Sequence, residues 1–166
     1  MLLKLRQRMA REESGFTLVE LLVVMLILGL LAAIAIPSFF NQRDKAKDAD
    51  AKEAVRTAQT AIETYATDND GLYSGATSDA DGAGPYAGTD LQNIEQTLAD
   101  VGGNLKVTST DDTYSVQVDS PDTGNSFRIS RLNTGVTNLT CGATAAVTAA
   151  LGAGGTAGCP SSGNWG

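Results

Sequence analysis

Residues Leu21–Ile36 form an unbroken run of sixteen apolar residues, and a single carboxylate, Glu20, stands directly before it. An acid carried toward the centre of a bilayer costs about 2.5–3.5 kcal/mol on insertion scales. Glu20 therefore needs a physical reason to be where it is. Taken as one helix, the 25 residues from Phe16 to Phe40 reach about 37 Å, enough to cross a bilayer with some tilt. The segment ahead of the run is basic, with Lys4, Arg6, Arg8 and Arg11 against Glu12 and Glu13. A secretory signal peptide places its apolar core before a small-residue cleavage site. Here the order is inverted: Ser14-Gly15 precedes the core, so a cut after Gly15 leaves the apolar segment on the mature chain. The basic leader is held on the cytoplasmic side, and the rest of the chain emerges on the other face.

That remainder is acidic. The chain carries 12 basic and 19 acidic residues for a net charge of -7, and removing the leader's excess of two positive charges leaves a body of net -9. No positive stripe is available for a phosphate backbone, so direct nucleic-acid binding is not predicted. There is no histidine, which removes Ser-His-Asp and Cys-His catalysis and His-ligated zinc. The sequence points to no enzyme, no metal site and no cofactor. The two cysteines, Cys141 and Cys159, both fall late in the chain, and an even pair in such a region reads as one disulfide formed in an oxidising, extracytoplasmic compartment.

Beyond Pro37 the composition turns polar. Ala51, Ala54, Val55, Ala58, Ala61, Ile62 and Tyr65 recur at helical spacing and make one apolar stripe, with Lys52, Glu53, Arg56, Gln59, Thr60 and Glu63 largely outside it. The helix is expected to end at Thr67-Asp68-Asn69-Asp70-Gly71, where Asx residues and glycine favour a turn. One helix from Phe16 to Thr67 would be about 78 Å long. The mixed charges between Arg43 and Glu53 read equally well as a solvated face or as contacts to a neighbouring molecule. Residues 71–104 are a surface connection, with a short helix at Asp90–Leu98 that places Leu91, Ile94 and Leu98 on one face. Alternation then predicts strands around Leu105 and Val107, Tyr114, Val116 and Val118, and Phe127 and Ile129. Short turns join them into an antiparallel meander with its apolar face against the helix. The fold class is α+β.

The stretch Gly15-Phe16-Thr17-Leu18-Val19-Glu20, followed by an apolar run with Gly29 and Pro37, resembles the leader and stalk of type IV prepilins. The resemblance is close over roughly the first 70 residues and architectural beyond them. It implies a leader at 1–15, a transmembrane and polymerisation helix at 16–40, an amphipathic outer half at 41–67, and a globular region at 68–166 with a three- to four-stranded sheet. In that family a membrane aspartyl protease cuts after the glycine and methylates the new amino terminus. The resemblance thus makes Gly15 the residue before the cut and Phe16 the N-methylated first residue. It makes Glu20 the acid that neutralises the amine of a neighbouring subunit, since two unpaired charges in hydrocarbon are far less favourable than a pair. The bland alternative for Glu20 is a juxtamembrane acid beside the headgroups. Gly29 and Pro37 are either tolerated, as transmembrane helices commonly tolerate them, or mark a segment that loses helicity as subunits pack.

The family implies a single-pass membrane precursor and then an extracellular filament built from copies of the same chain. Its partners are the peptidase, the membrane, and an assembly platform driven by an ATPase. Cys141–Cys159 would bound an exposed C-terminal loop of about 19 residues, worth about 3 kcal/mol by the chain-entropy argument, and Trp165 would anchor the end. A pseudopilin of a type II secretion system and a membrane-tethered binding module that never polymerises are the competing readings. Three weaker signals have bland explanations. Asp111-Asp112, Asp119 and Asp122 lack EF-hand spacing for calcium, Asn138–Thr140 matches a glycosylation sequon by default chance, and Phe16, Phe39, Phe40, Tyr65 and Tyr73 are packing residues rather than an electron path.

Overall fold

The computed structural model describes residues 15–76, 91–143 and 157–166. The leader through residue 14, most of the Gly-, Ala-, Ser- and Asp-rich connection, and residues 144–156 of the C-terminal loop lie outside the described residues. The chain divides into two compact units, Met1–Phe40 and Asn41–Gly166. Helix α1, Leu18–Asp68, contributes residues to both.

In the first unit α1 runs unbroken through Gly29 and Pro37. Pro37 has no N–H to give the carbonyl of Ala33, so one rung of the ladder is missing there. Leu18, Met25, Leu26 and Ile34 leave 70–73% of their surface uncovered, an apolar exposure that water disfavours by about 25 cal/mol per Å². Among the described residues α1 is the one helix long and apolar enough to cross a membrane.

In the second unit the helix changes its chemistry. Ala51, Val55, Ala58, Ala61, Ile62, Tyr65 and Ala66 are buried, the stripe expected from the spacing plus Ala66; Ala54 is only partly buried. Alanines at four of these positions let the backbone of α1 lie close to what it packs on. The helix ends as a Schellman turn: the Gly71 N–H reaches the Ala66 carbonyl (2.8 Å) and the Asn69 side chain caps the Tyr65 carbonyl (2.8 Å). Asp70 takes the left-handed position (φ 56°) that glycine usually fills, a conformation Asp tolerates better than most residues.

Four antiparallel strands in the order β1-β2-β3-β4 face this helix: β1 Leu105–Ser109, β2 Tyr114–Ser120, β3 Asn125–Arg131 and β4 Thr137–Ala143. The register aligns Leu105, Val118, Phe127 and Cys141 in one row and Val107, Val116, Ile129 and Leu139 in the next. These two rows and the α1 stripe make the core, with Val55, Ile62, Val116, Phe127 and Ile129 fully buried. Each such side chain contributes about 1.5–3 kcal/mol of transfer free energy. The expected Asp90–Leu98 helix is broken in two: α2, Leu91–Ile94, and a 3₁₀ segment, Gln96–Asn104, itself kinked at Gly102 (φ 55°). Between them Glu95 is extended and its carboxylate caps Thr97, accepting from the backbone N–H (3.3 Å) and the hydroxyl (2.9 Å). Asp90 itself lies outside the described residues.

Three polar clusters depart from the simple alternation of the strands. The outer face of the sheet is not uniformly solvated: Gln117 and Ser126 are fully buried and Arg128 nearly so. Arg128 donates to the Gln117 carbonyl oxygen from Nε (3.0 Å), Gln117 donates to Asp119 (2.7 Å), and Lys106 closes the chain on Asp119 (2.5 Å). On α1, Glu63 accepts from the Tyr73 hydroxyl and the Tyr114 hydroxyl, both at 2.8 Å, so an acid expected outside the apolar stripe ties the sheet to the post-helix turn. Asp48 is fully buried, which fits neither reading of the Arg43–Glu53 charges at that position. Its carboxylate accepts from Thr123 (2.5 Å) and Asn125 (2.8 Å) of the β2–β3 connection and from the Gly158 N–H (2.8 Å) of the tail. A Cβ on Gly158 would sit 2.6 Å from that of Asp48, so only glycine permits the approach.

Asp48→Ala leaves those three donors without an acceptor in the interior. The expected loss is about 3 kcal/mol, measurable by denaturant unfolding of the full chain in micelles through its single tryptophan. Burial, then the hydrogen bond to Glu63, raises both Tyr73 and Tyr114 above the usual phenol value of 10.0. Because the folded values exceed the unfolded ones, this stabilisation is complete below about pH 10 and is lost as the pH climbs through the folded values. Absorbance at the phenolate band should show these two tyrosines ionising late, with unfolding free energy falling over the same range.

Candidate functional site

The first turn of α1 is built around Thr17 and Glu20. The Glu20 Oε2 atom accepts from the Thr17 N–H (2.9 Å) and from the Thr17 hydroxyl (2.8 Å). In return the Glu20 N–H donates to Thr17 Oγ1 (3.2 Å), and the Leu21 N–H reaches the Thr17 carbonyl (3.3 Å). This is a reciprocal capping box, a Thr followed three residues later by Glu. The Thr17-Leu18-Val19-Glu20 spacing carries that signal in the sequence, beside the charge of the acid itself.

The capping box changes the energetics of Glu20. A helix start leaves orphan N–H groups, and hydrocarbon offers them no acceptor, so each unsatisfied group there costs several kcal/mol. Glu20 satisfies one of them and stands at the positive end of the helix dipole, a favourable position for an anion. Oε1 takes no hydrogen bond from the described residues, and no cation there pairs with the carboxylate. The local contacts therefore fix the side chain and spend one oxygen, leaving its charge unneutralised. Phe16, next to the expected cut after Gly15, is 82% exposed.

The remaining candidates are spread through the molecule. Gly29 and Pro37 lie within continuous helix, with open space around Gly29. Cys141 of β4 and Cys159 of the tail are joined by a disulfide, and both are buried. The tail extends the sheet edge: the Cys141 N–H donates to Gly163 (2.8 Å), Thr140 bridges to Asn164, and Trp165 Nε1 donates to the Thr140 carbonyl (2.9 Å). Asn138 of the sequon is exposed on β4. The acids considered for calcium are separated by cations, since Asp119 binds Lys106 and Asp122 lies 3.1 Å from Lys47. Asp111 and Asp112 sit on a different turn.

Residues 10–36 match the family described as the prokaryotic N-terminal methylation motif. A fimbrial protein of Pseudomonas aeruginosa is 30% identical over 137 residues, covering 77% of this chain and 85% of the relative. The chain belongs to the type IV pilin family. Two further relatives align over a shorter stretch. The type II secretion system core protein G of Pseudomonas aeruginosa is 42% identical over 59 residues, 36% of this chain and 42% of that protein. The type IV major pilin PilA of Myxococcus xanthus is 41% identical over 59 residues, 36% of this chain and 27% of that protein. The chain thus spans less than half the length of these two relatives. No solved structure is a significant match. Pilins are structural proteins, and the methylation motif with the exposed apolar helix marks a membrane-anchored precursor.

Thr17→Ala removes the Oγ1 cap on the Glu20 N–H and the hydroxyl donor to Glu20 Oε2, leaving only the backbone N–H of residue 17 on that carboxylate. Amide hydrogen exchange at Leu18–Leu21 in micelles should quicken about fivefold, the equivalent of the ~1 kcal/mol typical of a lost N-cap, with exchange in the second unit unchanged.

Proposed function

We propose that this chain is the repeating subunit of a type IV pilus. It is made as a single-pass precursor with its 1–15 leader in the cytoplasm, cut between Gly15 and Phe16 by a prepilin peptidase that also methylates Phe16. It then polymerises through the 16–40 helix, which leaves the membrane for a filament of copies of itself. An assembly platform and its ATPase drive that exit. The outer helical half at 41–67 and the globular region at 68–166 form the surface of the filament. The observation that carries this reading is Glu20, a carboxylate held in place by Thr17 yet without a counter-charge among the described residues, one helical turn from an amine that the cut at Gly15 creates. On a neighbouring subunit that amine neutralises the charge and sets the axial step; Gly29 and Pro37 supply the local weakness in the helix that such packing exploits.

The pseudopilin reading rests on the secretion relative's likeness, which extends over 59 residues, 36% of this chain. Similarity that continues through the globular region to a fimbrial protein, together with the C-terminal disulfide, supports the pilus. Adhesion, twitching motility and DNA uptake are functions such a filament serves.

The deciding experiment uses Glu20→Gln. Glutamine keeps the capping box, because its carbonyl accepts the same two hydrogen bonds, but carries no charge. Filaments sheared from cells of the unaltered strain should begin at N-methylated Phe16. The variant should be cut normally, retain its helix start, and yield few filaments or none. Normal filament numbers from Glu20→Gln would refute the charge-pairing role, and a chain that is never cut or never sheds filaments would refute the pilus reading.

A further inference from the structure

Where α1 turns its side toward solvent, a cleft of about 420 Å³ is lined by Lys52, Glu53, Arg56, Thr57, Thr60 and Trp165. Trp165 is a fixed wall. Its indole N–H is committed to Thr140, and its ring packs edge-on against Phe127 with 5.8 Å between centroids. The Arg56 guanidinium lies 5.3 Å from the centre of that ring. Lys52 is already engaged, donating to the Gly158 carbonyl at 2.7 Å. Arg56 has no such commitment. The ion pairs among the described residues are Arg43–Asp44, Lys47–Asp122 and Lys106–Asp119, and Glu53, which shares the cleft, does not pair with it. A guanidinium stacked on an indole keeps its fork of N–H donors free for a carboxylate, which it grips through two hydrogen bonds. The stacking has also fixed the side chain in advance, lowering the entropy cost of binding.

The complementary chemistry stands at the far end of the same unit. Beyond Arg56 α1 carries no cation, and its last turn has no basic residue. Asp68 and Asp70 are exposed there, at the end of the helix whose dipole disfavours anions. The β1–β2 turn adds exposed Asp111 and Asp112 beside them, as the hydrogen bond from the Tyr73 N–H to the Asp111 carbonyl (3.1 Å) shows. None of these four acids has an ion pair among the described residues. Asp68 lies about 18 Å along the helix from Arg56, so one chain cannot bring the two together. A second copy displaced along the helix axis can.

We infer that Arg56, stacked on Trp165, is the receptor for the acidic end of a second copy of this chain, formed by Asp68, Asp70, Asp111 and Asp112. The inference rests on the filament-subunit reading and adds to it a contact between globular units, in series with the pairing at Glu20. A nucleic acid offers the same fork its phosphates, but a body of net -9 repels a polyanion, whereas every copy of the chain brings both halves of this contact.

The test uses assembled filaments of the full chain. In filaments carrying Arg56→Lys, a carbodiimide should join the new amine to a carboxylate it touches. The result expected is a ladder of covalent multimers whose linked peptides map to 68–70 or 111–112. Arg56→Glu should cut the filament yield roughly tenfold while the Trp165 emission and the disulfide stay as in the unaltered chain. Reversing Asp111 and Asp112, or Asp68 and Asp70, to arginine should restore it. Undiminished filaments from Arg56→Glu, cross-links confined within single chains or to other carboxylates, or rescue by neither reversal would overturn the contact. Absence of filaments from the unaltered chain would overturn the subunit reading, and this contact with it.

Discussion

The backbone of α1 must satisfy its own hydrogen bonds, and nearly everything else in this protein follows from how it does so. Over Leu21–Ile36 the side chains are apolar and nearly all exposed, a surface suited to a medium that supplies neither donors nor acceptors. In such a medium only a helix is available to a single span, and its first turn is the weak point. From Asn41 onward the same ladder continues among water and protein, where orphan groups find partners easily and the side chains specify what the helix packs on. The two ends of α1 are finished accordingly. The start is closed by a reciprocal pair of side chains, Thr17 and Glu20. The end is closed by a backbone turn at Asp70-Gly71.

Closing the start with an acid has a consequence that a neutral cap would not have. The carboxylate is fixed by two short hydrogen bonds to one of its oxygens, and its charge remains. A free, rotating Glu would have to lose side-chain entropy before pairing with a cation; a capped one has lost it already. Local structure and assembly chemistry are therefore not rival explanations of Glu20. The cap orients the group that the pairing uses, and glutamine separates the two effects because it retains the first and lacks the second.

The tail shows how a segment poor in large apolar residues becomes ordered. Residues 157–166 bury little on their own, so their placement depends on specific bonds. The disulfide ties Cys159 to β4, Asp48 and Lys52 on α1 take the N–H and the carbonyl of Gly158, and Asn164 and Trp165 extend the sheet edge. The edge strand is thereby paired over Leu139–Cys141, which removes open backbone groups that would otherwise invite indiscriminate pairing. The same arrangement sets Trp165 beside Arg56, so that covering an edge and building a cation-bearing cleft are one event.

The amino-acid sequence by itself determined the elements with long-range regularity. Sixteen apolar residues behind Gly15 and Glu20 define the span, helical spacing from Ala51 to Tyr65 defines the packed face, and alternation defines β1, β2 and β3, because each repeats one physical preference many times. The fourth strand was not legible, since Thr137–Ala143 holds Leu139 and Cys141 as its only sizeable inward side chains. Nor were the places of Asp48, Glu63, Gln117 and Arg128. A charged or amide residue in a polar stretch reads as solvated until its partners arrive from elsewhere. Those of Asp48 lie at residues 123, 125 and 158, and only the tertiary structure brings them within hydrogen-bonding distance. Burial of apolar residues follows a pattern written along the chain, whereas burial of polar ones depends on contacts between distant segments.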